Sequence, residues 1–139
     1  MSTILLVLFY QDLFFLNPNL GWATFFEFSS PSNISYVYKT TNGGNNWTLV
    51  SETNFTTGLV SGNLKFVNEN TGFLYDDIYH GRIYKTVNGG QNWNIIYNDP
   101  DQLLVSLDLS INNPGNMYVA GYKSTFPVLL KSTDYGMTY

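Results

Sequence analysis

Cysteine is absent from this 139-residue sequence, which excludes disulfide bonds, thiolate metal sites and cysteine nucleophiles. Histidine and arginine each occur once, as His80 and Arg82, so neither a multi-histidine metal site nor an arginine triad can be built. The chain has 6 basic and 10 acidic residues, for a net charge of −4. Nucleic-acid-binding proteins usually carry a basic patch, so we expect no nucleic-acid partner. We also expect no metal and no cofactor.

Charged residues are scarce, whereas aromatic residues are abundant. Only 12% of the chain is charged, and Phe, Trp and Tyr make up 17% of it. Disordered segments combine high charge with few aromatic residues, and coiled coils are rich in Ala, Glu, Lys and Leu. The composition therefore excludes both classes, and the length suits at most one domain.

An apolar run of seven residues, 4–10 (ILLVLFY), lies near the start of the sequence. A signal peptide would have basic residues before such a run, yet the first lysine is Lys39. A membrane-spanning helix needs about 20 apolar residues. We therefore predict a buried β-strand rather than a signal peptide, and no membrane span. The lack of cysteine and the abundance of Asn, Thr and Tyr favour an extracellular or cell-surface protein of a bacterium.

A repeat dominates the sequence. Residues 38–47 (YKTTNGGNNW) and 84–93 (YKTVNGGQNW) are identical at eight of ten positions, and 130–139 (LKSTDYGMTY) is a weaker third copy. The copies end on aromatic residues spaced 46 residues apart, namely Trp47, Trp93 and Tyr139. A period of this length is typical of propellers built from one blade per repeat.

Each copy has the composition of a tight turn between two strands. An Asn or Asp side chain can accept hydrogen bonds from nearby backbone N–H groups, a glycine tolerates a positive φ, and a Ser or Thr hydroxyl flanks the turn. An aromatic residue then opens the next strand and can pack on a neighbouring sheet. In chain order these residues are Thr40, Asn42, Gly44 and Trp47, then Thr86, Asn88, Gly90 and Trp93, then Ser132, Asp134, Gly136 and Tyr139.

These segments resemble the Asp-box, or BNR repeat, with the pattern Ser/Thr-x-Asp/Asn-x-Gly-x-x-Thr/Asn-Trp. The first two copies match throughout, whereas the third has Tyr139 in place of Trp. The resemblance implies a β-propeller in which the box forms the hairpin between the third and fourth strands of a blade. It also implies a folding role for the box residues, with a calcium or carbohydrate site as the alternative. For Trp47 and Trp93 it implies packing between blades rather than a platform for sugars.

The resemblance extends beyond the boxes to nearly the whole chain. Segments 16–22 and 66–73 share the form apolar-x-Asn followed by Gly-aromatic, which is similar to the repeats of photosystem II assembly factor-like propellers and related bacterial surface propellers. Segment 110–121 (SINNPGNMYVAG) is more similar to sortilin and to xyloglucan-degrading hydrolases.

We therefore predict an all-β fold of consecutive four-stranded antiparallel blades, with almost no helix. Blade one covers about 11–50, blade two about 63–97, and an incomplete blade three about 103–139. The strands are expected near 12–16, 21–28, 34–40 and 47–50, near 64–68, 72–76, 82–86 and 93–97, and near 103–110, 117–122 and 128–132. Propellers close with about 4 to 8 blades, so we expect a partial propeller from a longer protein. The alternatives are an assembly in which several chains complete one ring and an open three-blade arc that is stable on its own.

The expected function is that of a non-catalytic scaffold that binds protein or glycan. A sialidase would need an arginine triad, and Arg82 stands alone. The alternative is a fragment of a xyloglucanase-like glycoside hydrolase, which needs two facing carboxylates. The candidate acids are Asp12, Glu52, Asp76, Asp77 and Asp108, with solvated or turn-bonded carboxylates as the simpler interpretation.

The candidate binding site lies in the loop between the second and third strands of blade two. Loops of this kind share one face of a propeller and vary from repeat to repeat, and variable loops on a repeated scaffold commonly carry binding residues. The loop offers a negative, an aromatic, a titratable and a positive group, namely Asp77, Tyr79, His80 and Arg82. A solvated hairpin loop is the alternative.

Overall fold

The computed structural model describes residues 8–27, 33–55, 64–76, 81–109 and 115–139. Eleven β-strands occur within these ranges, and no helix does. In chain order they are β1 (Leu8–Phe15), β2 (Gly21–Glu27), β3 (Asn33–Thr40), β4 (Thr48–Phe55), β5 (Lys65–Phe66), β6 (Gly72–Asp76), β7 (Arg82–Thr86), β8 (Asn94–Asn98), β9 (Gln102–Leu109), β10 (Met117–Lys123) and β11 (Phe126–Ser132).

The strands form three separate antiparallel sheets in which neighbours in sequence are neighbours in space. Sheet one has the order β1-β2-β3-β4, sheet two β5-β6-β7-β8, and sheet three β9-β10-β11. The predicted strands of all three units are present, and those at 72–76 and 82–86 have the predicted bounds. The all-β fold class of consecutive antiparallel blades is therefore confirmed.

Alternation of side chains along each strand lets one sheet pack on two neighbours. In β10, Met117, Val119 and Gly121 are buried, whereas Tyr118 and Tyr122, which alternate with them, are exposed. Successive residues of a strand point to opposite faces, so one face of sheet three is covered, and no sheet of the described ranges covers the other. The same period places Trp22 and Ala23 of β2 on opposite faces of sheet one.

Two apolar cores join the sheets. The first contains Trp22 and Val37 of sheet one together with Phe66, Leu74 and Tyr84 of sheet two. The second places Phe73, Tyr75 and Ile83 of sheet two against Met117 and Val119 of sheet three. Sheet two thus lies between the other two, and residues from both of its faces are buried.

The prediction of a buried strand at 4–10 is wrong for the part that the structure describes. Residues Leu8–Tyr10 do belong to strand β1, but Leu8 and Phe9 are about 40% exposed and Tyr10 is 61% exposed. Leu8 and Tyr10 lie on the face of sheet one that points away from sheet two. Among the described residues no further sheet covers that face, so an apolar sequence does not produce burial here. Residues 1–7 lie outside the described ranges.

Candidate functional site

Three turn segments, 40–47, 86–93 and 132–139, connect or follow the third strands of the sheets. In the second segment, the Thr86 hydroxyl donates to Asn88 Oδ1 at 3.0 Å and accepts from the backbone N–H of Gly90 at 3.0 Å and of Asn88 at 3.3 Å. Asn88 Oδ1 also accepts from the Asn92 N–H at 3.0 Å. The side chains of Thr86 and Asn88 therefore hold the turn closed from the inside.

The other two turn segments have the same bonds. Thr40 and Asn42 in the first segment and Ser132 and Asp134 in the third reproduce each contact, with donor–acceptor distances between 2.7 and 3.4 Å. Thr40, Thr86 and Ser132 are all buried. These polar side chains make their hydrogen bonds to each other and to backbone N–H groups of the same turn. This arrangement is that of a structural element.

Asp134 differs from its Asn counterparts because it carries charge. Its carboxylate accepts from Ser132 Oγ at 2.7 Å, from Thr138 Oγ1 at 2.7 Å and from the Thr138 and Met137 N–H groups. The hydrogen bonds from Ser132 and then Thr138 stabilise the ionised form and lower the pKa of Asp134 from 3.8 to about 2.

This shift predicts a pH dependence that belongs to the third turn. Because the folded pKa is lowered, the stabilisation is present above pH 3.8 and is lost as the pH falls towards 2. We expect the midpoint temperature of thermal unfolding to fall further between pH 4 and pH 2 for the native chain than for Asp134→Asn, which has the side chain of the other two turns. An NMR titration that placed the Asp134 carboxyl near pH 3.8 would contradict this assignment.

The glycines of the turns are required by backbone geometry and by close packing. Gly90 has φ +95°, and a Cβ built on it would lie 3.4 Å from Val37 Cγ1 of sheet one. Gly136 has φ +79°, and its Cβ would lie 2.5 Å from Ile96 Cδ1 of sheet two. The second turn is therefore pressed against sheet one, and the third turn against sheet two.

An aromatic ring and a lysine of the preceding sheet receive each of these turns. Trp22 donates its indole N–H to the carbonyl of Gly89 at 2.9 Å, and the ring of Phe66 stacks on Trp22 with centroids 3.6 Å apart. The Lys39 ammonium lies 5.2 Å from the Trp22 ring centroid, and Lys39 and Trp22 are paired across β3 and β2. Sheet one thus holds the second turn through an aromatic–lysine pair.

Sheet two holds the third turn in the same way. Phe73 and Lys85 are paired across β6 and β7, and the ammonium lies 5.7 Å from the Phe73 ring centroid. Lys85 Nζ donates to the carbonyl of Tyr135 at 3.2 Å, and the Tyr135 ring stacks on Phe73 at 6.3 Å. Tyr135 replaces the glycine of the other turns and keeps a positive φ of 56°.

The closing aromatic residues of the turns differ in their surroundings. The Trp93 ring meets Phe66 edge to face at 6.2 Å beside the first core, and Tyr139 meets Tyr97 of sheet two at 5.0 Å. Trp47 contacts Phe15 of its own sheet at 6.0 Å and is 36% exposed. The expected packing of Trp47 between blades is therefore not found, because no described sheet lies in front of it.

An apolar groove of about 520 Å³ opens on this uncovered face of sheet one. Its lining residues come from three neighbouring strands and the first turn, namely Leu8, Tyr10, Leu13, Ala23, Phe25, Tyr38 and Trp47. Sequence reasoning missed this groove as a candidate site. The signal for it was the repeat itself, because Tyr38 has the same place in its copy as the buried Tyr84.

The loop proposed from the sequence as a binding site lies largely outside the described residues. Asp77, Tyr79 and His80 lie outside the described residues, so their grouping with Arg82 in one site stays a prediction. Arg82 begins β7 and its Nε donates to Asn98 Oδ1 of β8 at 3.2 Å. This contact joins two strands of sheet two.

Among the candidate acids, Asp12 has a defined set of contacts. One carboxylate oxygen accepts from the Leu13 N–H at 2.8 Å and the other from the Leu64 N–H at 2.6 Å. Asp12 therefore ties the first strand of sheet one to the residue that precedes β5. Glu52 is exposed on β4, and Asp76 and Asp108 lie on β6 and β9. Asp77 lies outside the described ranges.

Neither a metal centre nor a spanning helix occurs in the part of the chain that the structure describes. Its Asp and Glu side chains form no group of three that could hold a metal ion. It also contains no helix long and apolar enough to cross a membrane.

The chain is similar to known proteins at the level of solved structures. No family model matches the sequence, and no curated protein matches it. Three chains of solved structures match. One is a structure of YCF48 bound to D1 peptide, with 14% sequence identity and a TM-score of 0.47. The match covers 94% of this chain and 59% of that chain, so this chain spans little more than half the length of that structure.

Proposed function

We propose that this chain is a non-catalytic scaffold that binds protein through the open face of sheet one. The proposal rests on the register of the strands that form that face, which matches the register of the buried face of sheet two. Ala23 and Tyr38 are paired across β2 and β3, as Leu74 and Tyr84 are across β6 and β7. Leu74 and Tyr84 are buried against sheet one, whereas Ala23 and Tyr38 line the groove.

The groove has the chemistry of a surface that packs on another polypeptide. Its lining is aromatic and aliphatic, and contiguous apolar patches on a protein surface mark interaction sites. The same positions in sheet two are covered by a β-sheet, so a second β-sheet is the occupant that the repeat favours. The resemblance of the turns to Asp-boxes and of the repeat to assembly-factor propellers agrees with a scaffold, and the composition favours a location at a bacterial cell surface.

Photo-crosslinking from inside the groove tests this function. Leu13 is 48% exposed and lines the groove, so Leu13→p-benzoylphenylalanine places a reactive ketone there without filling a core. We expect irradiation of the chain, alone and in extract of its source cells, to give covalent adducts with polypeptide. Mass spectrometry should map the partner's attachment site to a β-strand, and a second substitution, Phe25→Asp, should abolish the adducts.

The matched control puts the same group at Val87, which is 65% exposed on the second turn. Val87→p-benzoylphenylalanine should give no adduct of this kind. Equal adducts from both positions, or none from Leu13, would contradict a protein-binding groove. Turnover of a polysaccharide by the purified chain in a substrate screen would contradict the non-catalytic assignment and favour the glycoside hydrolase alternative.

A further inference from the structure

We infer that the protein occupying the open face of sheet one is a second copy of this chain, bound through the open face of its sheet three. This inference rests on the proposed function, because it names the partner of the same groove. Two contacts between neighbouring sheets of one chain share a docking pattern. Sheet three presents one side of that pattern and sheet one presents the other, each without a partner among the described residues.

The pattern has a receiving half and an inserting half. The receiving half is an aromatic residue on the second strand of a sheet with a lysine opposite it on the third. Trp22 with Lys39 and Phe73 with Lys85 are the two internal examples. The inserting half is the turn of the next sheet, whose backbone carbonyl accepts a hydrogen bond from the receiving side.

Sheet three carries a third receiving half. Tyr118 and Lys131 are paired across β10 and β11, and the ammonium lies 5.9 Å from the Tyr118 ring centroid. Lys39, Lys85 and Lys131 are spaced 46 residues apart, so Lys131 holds the same place in the repeat. Unlike the buried Trp22 and Phe73, Tyr118 is 44% exposed, and Leu129 on the same face is 84% exposed.

Sheet one carries the matching inserting half. Phe15 lies over Gly21, where a Cβ would be 2.9 Å from its ring, as Phe66 lies over Gly72 at 2.6 Å. Phe66 stacks on Trp22 in the internal interface. Gly43 has φ +69° and corresponds to Gly89, whose carbonyl receives the Trp22 indole. Within the described residues the Gly43 carbonyl has no hydrogen-bond donor.

Both halves are therefore present on one chain, at opposite ends of the stack. In the docked pair, Phe15 of one copy stacks on Tyr118 of the other, and the Lys131 ammonium donates to the carbonyl of Gly43. Two copies related by a twofold axis make this contact twice and bring together six sheets. Propellers close with about 4 to 8 blades, so six sheets suit a closed ring.

Sedimentation velocity on the full chain tests the inference. We expect a species of twice the 15.8 kDa chain mass that grows no further as concentration rises. Leu13→Asp on the groove and Leu129→Asp on sheet three each place a charge on an exposed residue, so both should fold and both should sediment as single chains. Val87→Asp, outside both faces, should sediment like the native chain.

Mixing two variants distinguishes docking of the groove on the sheet three face from docking between two identical faces. The Leu13→Asp variant keeps an intact sheet three face, and the Leu129→Asp variant keeps an intact groove. Their mixture should form a pair that neither forms alone. Failure to form it, open-ended growth, or a native chain that stays single at every concentration would overturn the inference. If the chain stays single while Leu13 crosslinks to a different protein, the scaffold function stands and only the second copy is rejected.

Discussion

Phe73→Ala is expected to lower the free energy of unfolding by about 3–5 kcal/mol, the usual cost of removing a buried phenylalanine. Phe73 is completely buried in the second core, stacks on Tyr135 and lies beneath the Lys85 ammonium. The substitution leaves a cavity between sheets two and three and removes the surface that receives the third turn. Urea denaturation followed by circular dichroism gives the free energy directly.

Tyr118→Ala is the matched control, because Tyr118 holds the same strand position on the open face of sheet three. At a concentration where the chain is single, its cost should stay below about 1 kcal/mol, as is usual for surface substitutions. Equal losses for Phe73→Ala and Tyr118→Ala would show that burial between the sheets does not govern stability here.

Thr86→Val is expected to lower the free energy of unfolding by about 2–4 kcal/mol, although it keeps the shape of the side chain. The hydroxyl is fully buried and accepts from the N–H groups of Asn88 and Gly90 while it donates to Asn88. Valine leaves these donors without a partner inside the turn, and each unsatisfied buried group costs about 1–3 kcal/mol. Thermal and urea unfolding both measure the loss.

Thr86→Ser separates the hydrogen bonds from the methyl group. Serine occupies the equivalent position in the third turn, where Ser132 makes the same contacts. We expect Thr86→Ser to retain most of the stability that Thr86→Val loses. If the two variants were equally unstable, packing of the methyl group rather than the hydroxyl would hold the turn.

The order of strands and turns could be predicted from the repeat, because side chains within each turn determine the conformation of that turn. A hydroxyl, a short acceptor and a glycine at fixed spacing specify one turn, and an aromatic residue after the turn begins a strand. The strands at Gly72–Asp76 and Arg82–Thr86 followed directly. Each is short, and their bounds are set by the turns and loops around them.

The burial of individual residues could not be predicted in the same way. The run that includes Leu8 and Tyr10 has the composition of a core strand, yet these residues are exposed because burial depends on a neighbouring sheet. Trp47 and Trp93 have the same local sequence and different surroundings for the same reason. The aromatic–lysine pairs were also missed, because pairing across strands depends on register, which the composition of the turns alone does not specify.

The position of sheet two between two neighbours has a consequence for motion. In a stack where each unit touches only the next, opening proceeds from the ends inward, and stability is a sum of unit and contact contributions. At concentrations where the chain is single, amide hydrogens of β6 and β7 should therefore exchange with solvent deuterium most slowly, and those of β1 and β11 most rapidly. The gradient of protection along the chain would measure the strength of each contact between sheets, one contact at a time.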